Sequence, residues 1–384
     1  MHLVEVSSPE QLKAFVEMPV QMYKQDANYI RPLDKDVYEV FNPDKNKLYK
    51  TGKCKQWLLQ SEDGTNIGRI AAFVNKKYKQ AQPTGGMGFF ECPNNQEAAN
   101  LLLDTAKRWL QSEGMEAMDG PINFGERDKF WGVLVSGYDE QPLYGMTYNP
   151  PYYKDLLEAY GFQVYFHQLC FGMHKDQTMD QKFKNLYDKY DADPDFELRT
   201  IDKSQLDKYA EDFCTIYNAA FAGHGEGKAL DIRMAKGMFA SMKAVMDPKI
   251  CWYVYYKNQP VAMWINLPDL NDYFKYFNGK LGWWQKLQFV YLQKFRKAKR
   301  FVGIVYGVHP DWQGKGCDAY MIWASREYVH KVNAYDKFEM QWIGDFNPKM
   351  VNLSKNLGAS EVRRLSTYRY LFDRTKEFKR MGAV

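Results

Sequence analysis

The sequence lacks several features that would place it in a common class of protein. Its cysteines form no C-x-x-C pair and show no metal-ligand spacing: Cys54, Cys92, Cys170, Cys214, Cys251 and Cys317. Thiols scattered in this way indicate a reduced, cytoplasmic protein and predict no metal site. No apolar run reaches the ~18 residues that cross a bilayer, and the first residues lack the basic-then-apolar pattern of a signal peptide. We therefore expect a cytoplasmic protein without a membrane span.

A strong excess of one charge is also missing. The chain has 52 Lys and Arg against 47 Asp and Glu, which leaves a formal charge of +5 over 384 residues. That excess is small for this length, so we predict no nucleic-acid partner. Hydrophobic residues make up 45% and aromatic residues 16% of the chain, enough to fill two cores. The length also favours two domains over one.

One stretch, from Phe301 to Val332, carries the strongest functional signal. It opens with an apolar, β-branched run, FVGIVYGV, which predicts a strand. The turn HPDWQGKG follows, with Gly314, Lys315 and Gly316, and the next residues show the apolar period of a helix. The first turn of a helix has unsatisfied N–H groups, and glycines let an anion approach them closely. The stretch therefore predicts a phosphate or pyrophosphate site.

The two commonest phosphate motifs are absent from this stretch. The motif G-x-x-x-x-G-K-S/T is excluded because Gly316 follows Lys315, and there is no G-x-G-x-x-G. The turn instead resembles the acyl-CoA loop of the GNAT (Gcn5-related) N-acetyltransferase superfamily, V-x-P-x-x-Q/R-x-x-G-x-G/A. The residues that fit are Val308, Pro310, Gln313 and Gly316. Asp318 stands where a second Gly or Ala is usual, and a carboxylate there opposes a pyrophosphate unless it points away.

The resemblance implies acetyl-CoA or a longer acyl-CoA as the donor. Its implied contacts are Val308, His309, Gln313, Gly314, Lys315, Gly316, Cys317, Asp318 and Asn347. Downstream, Asn347 and Pro348 predict the start of a helix, and Gly358 predicts its end. GNAT proteins often have a tyrosine in this helix that protonates the departing thiolate, and Ser354 takes its place here.

Catalytic candidates are sought among side chains that could take a proton from an amine. GNAT-like enzymes often use a strand carboxylate or a chain of waters for this step. The strand that opens the stretch contains no carboxylate, so the candidate bases are His309, Glu339 and Asp345. Ser354 is the further catalytic candidate, as the residue in place of the GNAT tyrosine. Asp345 stands at a strand-to-helix junction, where side chains reach a central cleft. For each lone acid, a cap or a surface charge is the alternative.

The first half of the chain repeats the order of predicted elements and resembles a second GNAT-like domain. Its counterpart of the donor turn, CPNNQEA, contains no glycine, which predicts a copy unable to bind the donor. The predicted fold class is α/β (α+β), with two GNAT-like domains, each a mixed, mostly antiparallel sheet flanked by helices. We place a degenerate domain at 1–175, a charged linker at 176–195 and the acyl-CoA-binding domain at 196–384, with a helical insertion near 268–300.

Two irregular segments are candidates for the acceptor side of the site. The stretch 119–153 has no periodicity, and so long an irregular segment is uncommon unless functional. Its polar candidates are Asn123, Arg127, Asp128 and Tyr144, and a structural cover over the sheet edge is the alternative. The loop 222–230 would line the acceptor groove of a GNAT-like fold and contains His224 and Glu226. The alternative there is a mobile surface loop.

The segment 281–300 interleaves apolar and basic residues, including Trp283 and Trp284. A helix of this composition can lie on an anionic membrane surface. The alternative is a helix that packs on its own core, with both tryptophans buried and a solvated basic flank.

The layout of the whole chain also resembles two-domain bacterial GNAT-like acyltransferases that include acyl-CoA-dependent ceramide synthases. The similar pieces are GPINF, GVLVSGYD and YNPPYY in the first half, and IYNAAF, LPDLN, NGKL and QGKG in the second. This resemblance implies an N-acyltransferase in which a small or lipid-like amine attacks the acyl-CoA directly. The alternative is a non-catalytic CoA-binding or lipid-surface protein with a GNAT fold. The sequence indicates no acyl length and no oligomeric state.

Overall fold

A computed structural model describes residues 1–78, 80–221 and 229–382 of the chain. The strands are β1 (His2–Glu5), β2 (Gly52–Gln60), β3 (Asn66–Asn75), β4 (Thr84–Glu91), β5 (Ala117–Gly120), β6 (Val133–Ser136), β7 (Gln163–His174), β8 (Phe196–Thr200), β9 (Trp252–Tyr256), β10 (Gln259–Pro268), β11 (Arg300–Val308), β12 (Lys337–Met340), β13 (Ile343–Gly344) and β14 (Ser360–Leu371). The α-helices are α1 (Pro9–Met22), α2 (Asp34–Val40), α3 (Gln96–Ser112), α4 (Tyr153–Tyr160), α5 (Gln181–Asp191), α6 (Leu206–Phe221), α7 (Ile232–Met242), α8 (Asn271–Phe274), α9 (Trp283–Phe295), α10 (Asp318–Val332) and α11 (Pro348–Asn356).

Local sequence signals set several of these boundaries. Ser8 caps α1 and forms a capping box with Gln11, and proline occupies the first turn. Asn347 caps α11 in the same manner, its side chain accepting the N–H of Met350 at 3.2 Å. Gly358, just past the end of α11, has a φ of +85°, which favours glycine. The predicted start and end of this helix are therefore confirmed.

The described strands form one sheet that runs through both halves of the chain. Its order is β1-β2-β3-β4-β5-β14-β7-β12-β11-β10-β9-β8, with β6 beside β14 and β13 beside β7. Most neighbours are antiparallel, and the parallel pairs are β4 with β5 and β11 with β12. The final strand, β14, lies between β5 and β7 of the first half, and β7 pairs with β12 of the second. The two halves thus share their central strands.

Helices cover both faces of the sheet in each half. In the first half, α3 and α4 pack on one face and α1 and α2 on the other. In the second half, Tyr253 and Tyr255 face α6 and α7, while Trp252 and Val254 face α10. This alternation follows from the two-residue period of a strand. The predicted fold class, a mixed and mostly antiparallel sheet flanked by helices in each half, is confirmed.

The segments that connect the halves are structured. The predicted linker, 176–195, contains α5, which packs against α10. Helices α8 and α9 lie between β10 and β11 and reach the first half, where the N–H of Asp34 donates to the carbonyl of Gly279 at 2.8 Å. Asn271 donates to the carbonyl of Pro142 at 2.8 Å. The division into two domains stays a prediction, and these contacts show how closely the halves associate.

Candidate functional site

The sheet opens beside β11, at the strand predicted to precede the anion site. Strands β11 and β12 pair from Arg300 to Gly303, and the N–H of Gln341 then donates to the carbonyl of Gly303 at 3.2 Å. Beyond that point the chain turns away, because β13 pairs with β7. On the other edge of β11, Ile304 is an extra residue in the pairing with β10 and forms a β-bulge. The second half of β11 therefore has one edge without a strand partner.

The predicted glycine turn lies at the end of this open edge. Gly314 and Gly316 have φ values of +72° and +80°, in the left-handed region that favours glycine. Helix α10 begins directly after them, and its N-cap residue, Cys317, makes no capping hydrogen bond with its side chain. Within the described chain, the N–H groups of Gly314, Gly316 and Cys317 donate to no protein acceptor. Free N–H groups at a helix N-terminus make an anion site.

The helix that follows the glycine-free turn of the first half, α3, has a capped N-terminus. Asn95 caps α3, and its side-chain oxygen accepts the N–H of Ala98 at 3.0 Å. A capped N-terminus has one fewer free donor, and this turn also lacks glycine. The two halves therefore differ at the position where a donor would bind.

Asp318 turns away from the glycine turn. Its carboxylate accepts a hydrogen bond from the hydroxyl of Tyr306 on β11. Burial and the neighbouring carboxylate raise the pKa of Tyr306 well above its usual value, so the phenol keeps its proton. The carboxylate of Asp318 is thus engaged by Tyr306 on β11.

The predicted donor contacts His309 and Gln313 make hydrogen bonds that hold the glycine turn against its neighbours. His309 donates its N–H to Val261 at 2.8 Å, and Gln313 donates its side-chain N–H to the carbonyl of Val308 at 3.1 Å, so both hold the turn in place. The Lys315 ammonium lies 4.9 Å from the ring centre of Trp312.

Two further predicted donor contacts have structural positions. Cys317 is fully buried, and burial raises the pKa of its thiol to about 12, so it packs in the core. Asn347 is engaged as the cap of α11.

Glu339 lies in a buried network of charges. Its carboxylate accepts hydrogen bonds from Arg300 at 3.0 Å and from Arg363 at 3.1 Å, and Arg300 also binds Asp269 at 2.7 Å. The side chain of Arg363 is 0% exposed, and its guanidinium also donates to the carbonyls of Glu140 and Gln141. Both carboxylate oxygens of Glu339 are thus engaged by buried guanidinium groups. The geometry therefore favours a structural function for Glu339.

Asp345 is partly exposed and belongs to a polar cluster on β7 and β14. One carboxylate oxygen accepts the N–H of His167 at 3.0 Å, and the other accepts Arg380 at 2.6 Å. The Nδ1 atom of His167 lies 2.8 Å from the hydroxyl of Ser366. No local sequence signal marks His167, because only the pairing of β7 with β13 and β14 assembles the cluster.

Ser354 is buried inside α11. It is 1% exposed, and its hydroxyl donates to the carbonyl of Met350 at 3.0 Å and lies 3.3 Å from the sulfur of Met340. Met340 is the last residue of β12, beside the point where the sheet opens. The Ser354 hydroxyl is therefore engaged within the core, between its own helix and β12.

We expect the folded protein to lose stability in acid partly through His167. Desolvation lowers the pKa of His167, partly opposed by the Asp345 carboxylate. Since the unfolded ring binds a proton more readily, this stability is present above the unfolded value near 6.5 and is lost as the pH falls towards the lowered folded value. Urea unfolding at several pH values should show a smaller acid loss in His167→Gln. The control is His2→Gln, at an exposed position. An equal loss of unfolding free energy in acid for the unchanged protein and both variants would contradict the prediction.

Two of the acceptor candidates lie near each other in the first half. Asn123 is 6% exposed and lines a cavity with Trp131, and its side-chain oxygen has no hydrogen-bond partner among the described residues. The guanidinium of Arg127 lies 5.7 Å from the ring centre of Trp131, and the carbonyl of Arg127 accepts the indole N–H of Trp342 at 3.2 Å. Asn123 and Arg127 therefore share one region of the segment 119–153.

Tyr144 belongs to the contact between the halves. Its hydroxyl donates to Asp36, and its N–H donates to Asp269 at 3.3 Å. The loop containing His224 and Glu226 lies outside the described residues. Tyr144 thus has structural partners, which supports the alternative of a cover that joins elements.

An apolar cleft lies away from the glycine turn. It is lined by the second half of α10, the start of β12, the end of β7 and the residues that follow β7. Among the described residues, none of those predicted for the donor or acceptor belongs to its lining. This cleft is therefore separate from the glycine turn.

The fold defined by these features is that of the tandem GNAT proteins. A tandem GNAT protein from the clavulanic acid biosynthesis pathway has a TM-score of 0.54 and 12% identity, with 97% of this chain and 99% of that chain covered. A GCN5-related N-acetyltransferase from Sphaerobacter thermophilus has a TM-score of 0.51 and 12% identity, with 99% and 96% covered. Identities this low show the fold alone.

Two curated proteins are similar over nearly the whole chain. The bacterial ceramide synthase of Caulobacter vibrioides (strain NA1000 / CB15N) is 23% identical over 378 residues, which cover 96% of this chain and 97% of that protein. Protein YghO of Escherichia coli (strain K12) is 24% identical over 374 residues, which cover 93% and 92%. No family model matches the chain.

Proposed function

We propose that the protein is an acyltransferase that uses acyl-CoA as donor and an amine as acceptor. The observation that carries this proposal is the uncapped N-terminus of α10, which follows two left-handed glycines at the open edge of β11. Backbone N–H groups there suit the pyrophosphate of CoA. The gap between β11 and β12 suits the extended arm that carries the thioester. The name of the similar ceramide synthase supports an amine with a lipid-like chain.

The proposed reaction is a direct displacement. The amine nitrogen forms a bond to the thioester carbonyl carbon, the carbon–sulfur bond breaks, and the CoA thiolate leaves with its electron pair. The amine loses one proton and the thiolate gains one, so no covalent enzyme intermediate is required. Unpaired backbone N–H groups near the bulge at Ile304 would stabilise the negative charge on the carbonyl oxygen.

The experiment that tests the proposal follows both products. The protein is incubated with acyl-CoA donors of two to eighteen carbons and with a panel of small and long-chain amines. Release of free CoA thiol is measured with a thiol reagent, and the amide is identified by mass spectrometry. Thiol release that depends on the amine and yields one amide per thiol supports the proposal, whereas a panel without amide formation contradicts it.

A second function, CoA binding without catalysis, is favoured by one observation. The carboxylates of Glu339 and Asp345 and the hydroxyl of Ser354 are all engaged in protein hydrogen bonds. Under this alternative, CoA binds with measurable affinity in calorimetry, but thiol release stays at the rate without protein for every amine. The same assay therefore separates the two functions.

We expect one CoA to bind per chain, in the second half. The reason is the contrast between the uncapped start of α10 and the start of α3, which Asn95 caps. Isothermal titration calorimetry with CoA should give a stoichiometry near one. Two equivalent sites per chain would contradict the assignment of the first half as unable to bind the donor.

A further inference from the structure

Helix α9 presents an apolar face to solvent. Its outward residues are between 56% and 73% exposed and comprise Trp283, Trp284, Leu287, Val290, Tyr291 and Phe295. At 100° per residue these side chains fall within about 140° of the helix circumference, so they form one continuous stripe. The alternative in which both tryptophans belong to a core is therefore wrong. Large exposed apolar patches mark sites of interaction.

The opposite face of α9 attaches the helix firmly to the protein. Leu292 is buried, and Phe289 packs beside it against Tyr273, Phe274 and Phe277. One face of α9 is therefore packed against the protein, and the opposite face is exposed to solvent.

The surroundings of this stripe are strongly basic. From Tyr273 to Lys299 the chain contains seven Lys or Arg residues and no Asp or Glu. Within the described chain, the basic residues here that form no ion pair are Lys280, Lys286, Lys294, Arg296 and Lys297. Cations that no protein carboxylate neutralises are available to a negatively charged partner.

We propose that the outward face of α9 docks on the surface of an anionic lipid bilayer. Tryptophan favours the interface between water and hydrocarbon, and basic residues are attracted to anionic headgroups. A second copy of the chain fits less well, because two such faces would bring like charges together. No helix in the described part of the chain is long and apolar enough to cross a membrane, so the helix lies along the surface.

Exposed methionines also lie on α7, where Met234 and Met238 are 63% and 43% exposed. The side chain of Gln293 on α9 donates to the carbonyl of Ala244, just past α7, at 3.0 Å. Docking of α9 does not depend on the proposed reaction.

The test is co-sedimentation with vesicles of phosphatidylcholine, with and without 30% phosphatidylglycerol, at 50 mM and 500 mM salt. The protein should bind anionic vesicles at low salt and leave them at high salt. Each basic residue near an anionic surface strengthens binding about fivefold, so Lys286→Gln/Lys294→Gln/Lys297→Gln should weaken it about 100-fold. Trp283→Ser/Trp284→Ser should weaken it by about tenfold or more.

The matched control removes the same charge elsewhere. Helix α5 packs against α10 and contains three exposed or half-exposed lysines, so Lys182→Gln/Lys184→Gln/Lys189→Gln changes the net charge equally. This control should retain vesicle binding. Protein that stays in the supernatant at low salt overturns the proposal, as does equal loss in the control. Concentration-dependent dimerisation abolished by the tryptophan variant, without vesicle binding, also overturns it in favour of a second copy.

Discussion

Replacing Gly316 by valine is expected to lower the affinity for acyl-CoA by about 100-fold, because at least two charge-assisted hydrogen bonds of ~1.5–3 kcal/mol would be lost. Gly316 has a φ of +80°, and an added Cβ would lie 2.9 Å from Leu186 on α5. The backbone must therefore leave the conformation that exposes its N–H groups. Calorimetric titration with CoA measures the loss, and circular dichroism shows whether the fold is retained.

Two further glycines separate loss of binding from general strain. Gly64, in the turn between β2 and β3, has a φ of +82° with open space around it, so Gly64→Val imposes backbone strain of ~1–2 kcal/mol far from the site. It should bind CoA normally. Gly314 has a φ of +72° and no neighbour within 4 Å, so Gly314→Val tests the turn without the Leu186 contact. Normal CoA binding by both turn variants would refute the donor site.

Removing the carboxylate of Glu339 is expected to destabilise the protein by about 3–5 kcal/mol, the cost of leaving buried guanidinium groups without their partner. In Glu339→Ala, Arg300 would keep Asp269, but Arg363 would lose its carboxylate at 0% side-chain exposure. For a chain of 384 residues, a loss of this size lowers the melting temperature by roughly 4–6 °C. Thermal unfolding followed by circular dichroism measures it.

The control for this prediction lies on β14, which β7 separates from β12 in the sheet. Glu361 on β14 pairs with Arg364 at a partly exposed position, and such pairs contribute about 0–1 kcal/mol. Glu361→Ala should therefore melt within about 1 °C of the unchanged protein. A Glu339→Ala protein that melts normally but has lost amine-dependent thiol release would reverse our assignment and make Glu339 a catalytic residue.

The glycine turn could be predicted from the sequence, whereas the charge network around Glu339 could not. The glycine turn was predictable because its signal is local: Gly314 and Gly316 stand between a β-branched run and a helical period. The network around Glu339 was not predictable, since Asp269, Arg300 and Arg363 come from distant parts of the chain. Only the pairing of β12 with β7 and β11 brings these charges together.

The sequence by itself determined the features that depend on neighbours along the chain. These are the caps of α1 and α11, the glycine turn before α10, and the absence of glycine before α3, which together indicate two similar halves with one donor turn. The physical reason is that capping and left-handed backbone depend on residues a few positions apart.

The tertiary structure decided the features that depend on which strands and faces meet. It placed β14 between β5 and β7, engaged Asp345 with Arg380, and turned Trp283 outward instead of into a core. Helix α9 has apolar residues on all sides, so its period could not show which side is buried. The buried side of α9 is the one on which Phe289 and Leu292 pack against α8, because a helix buries the face that neighbouring elements cover.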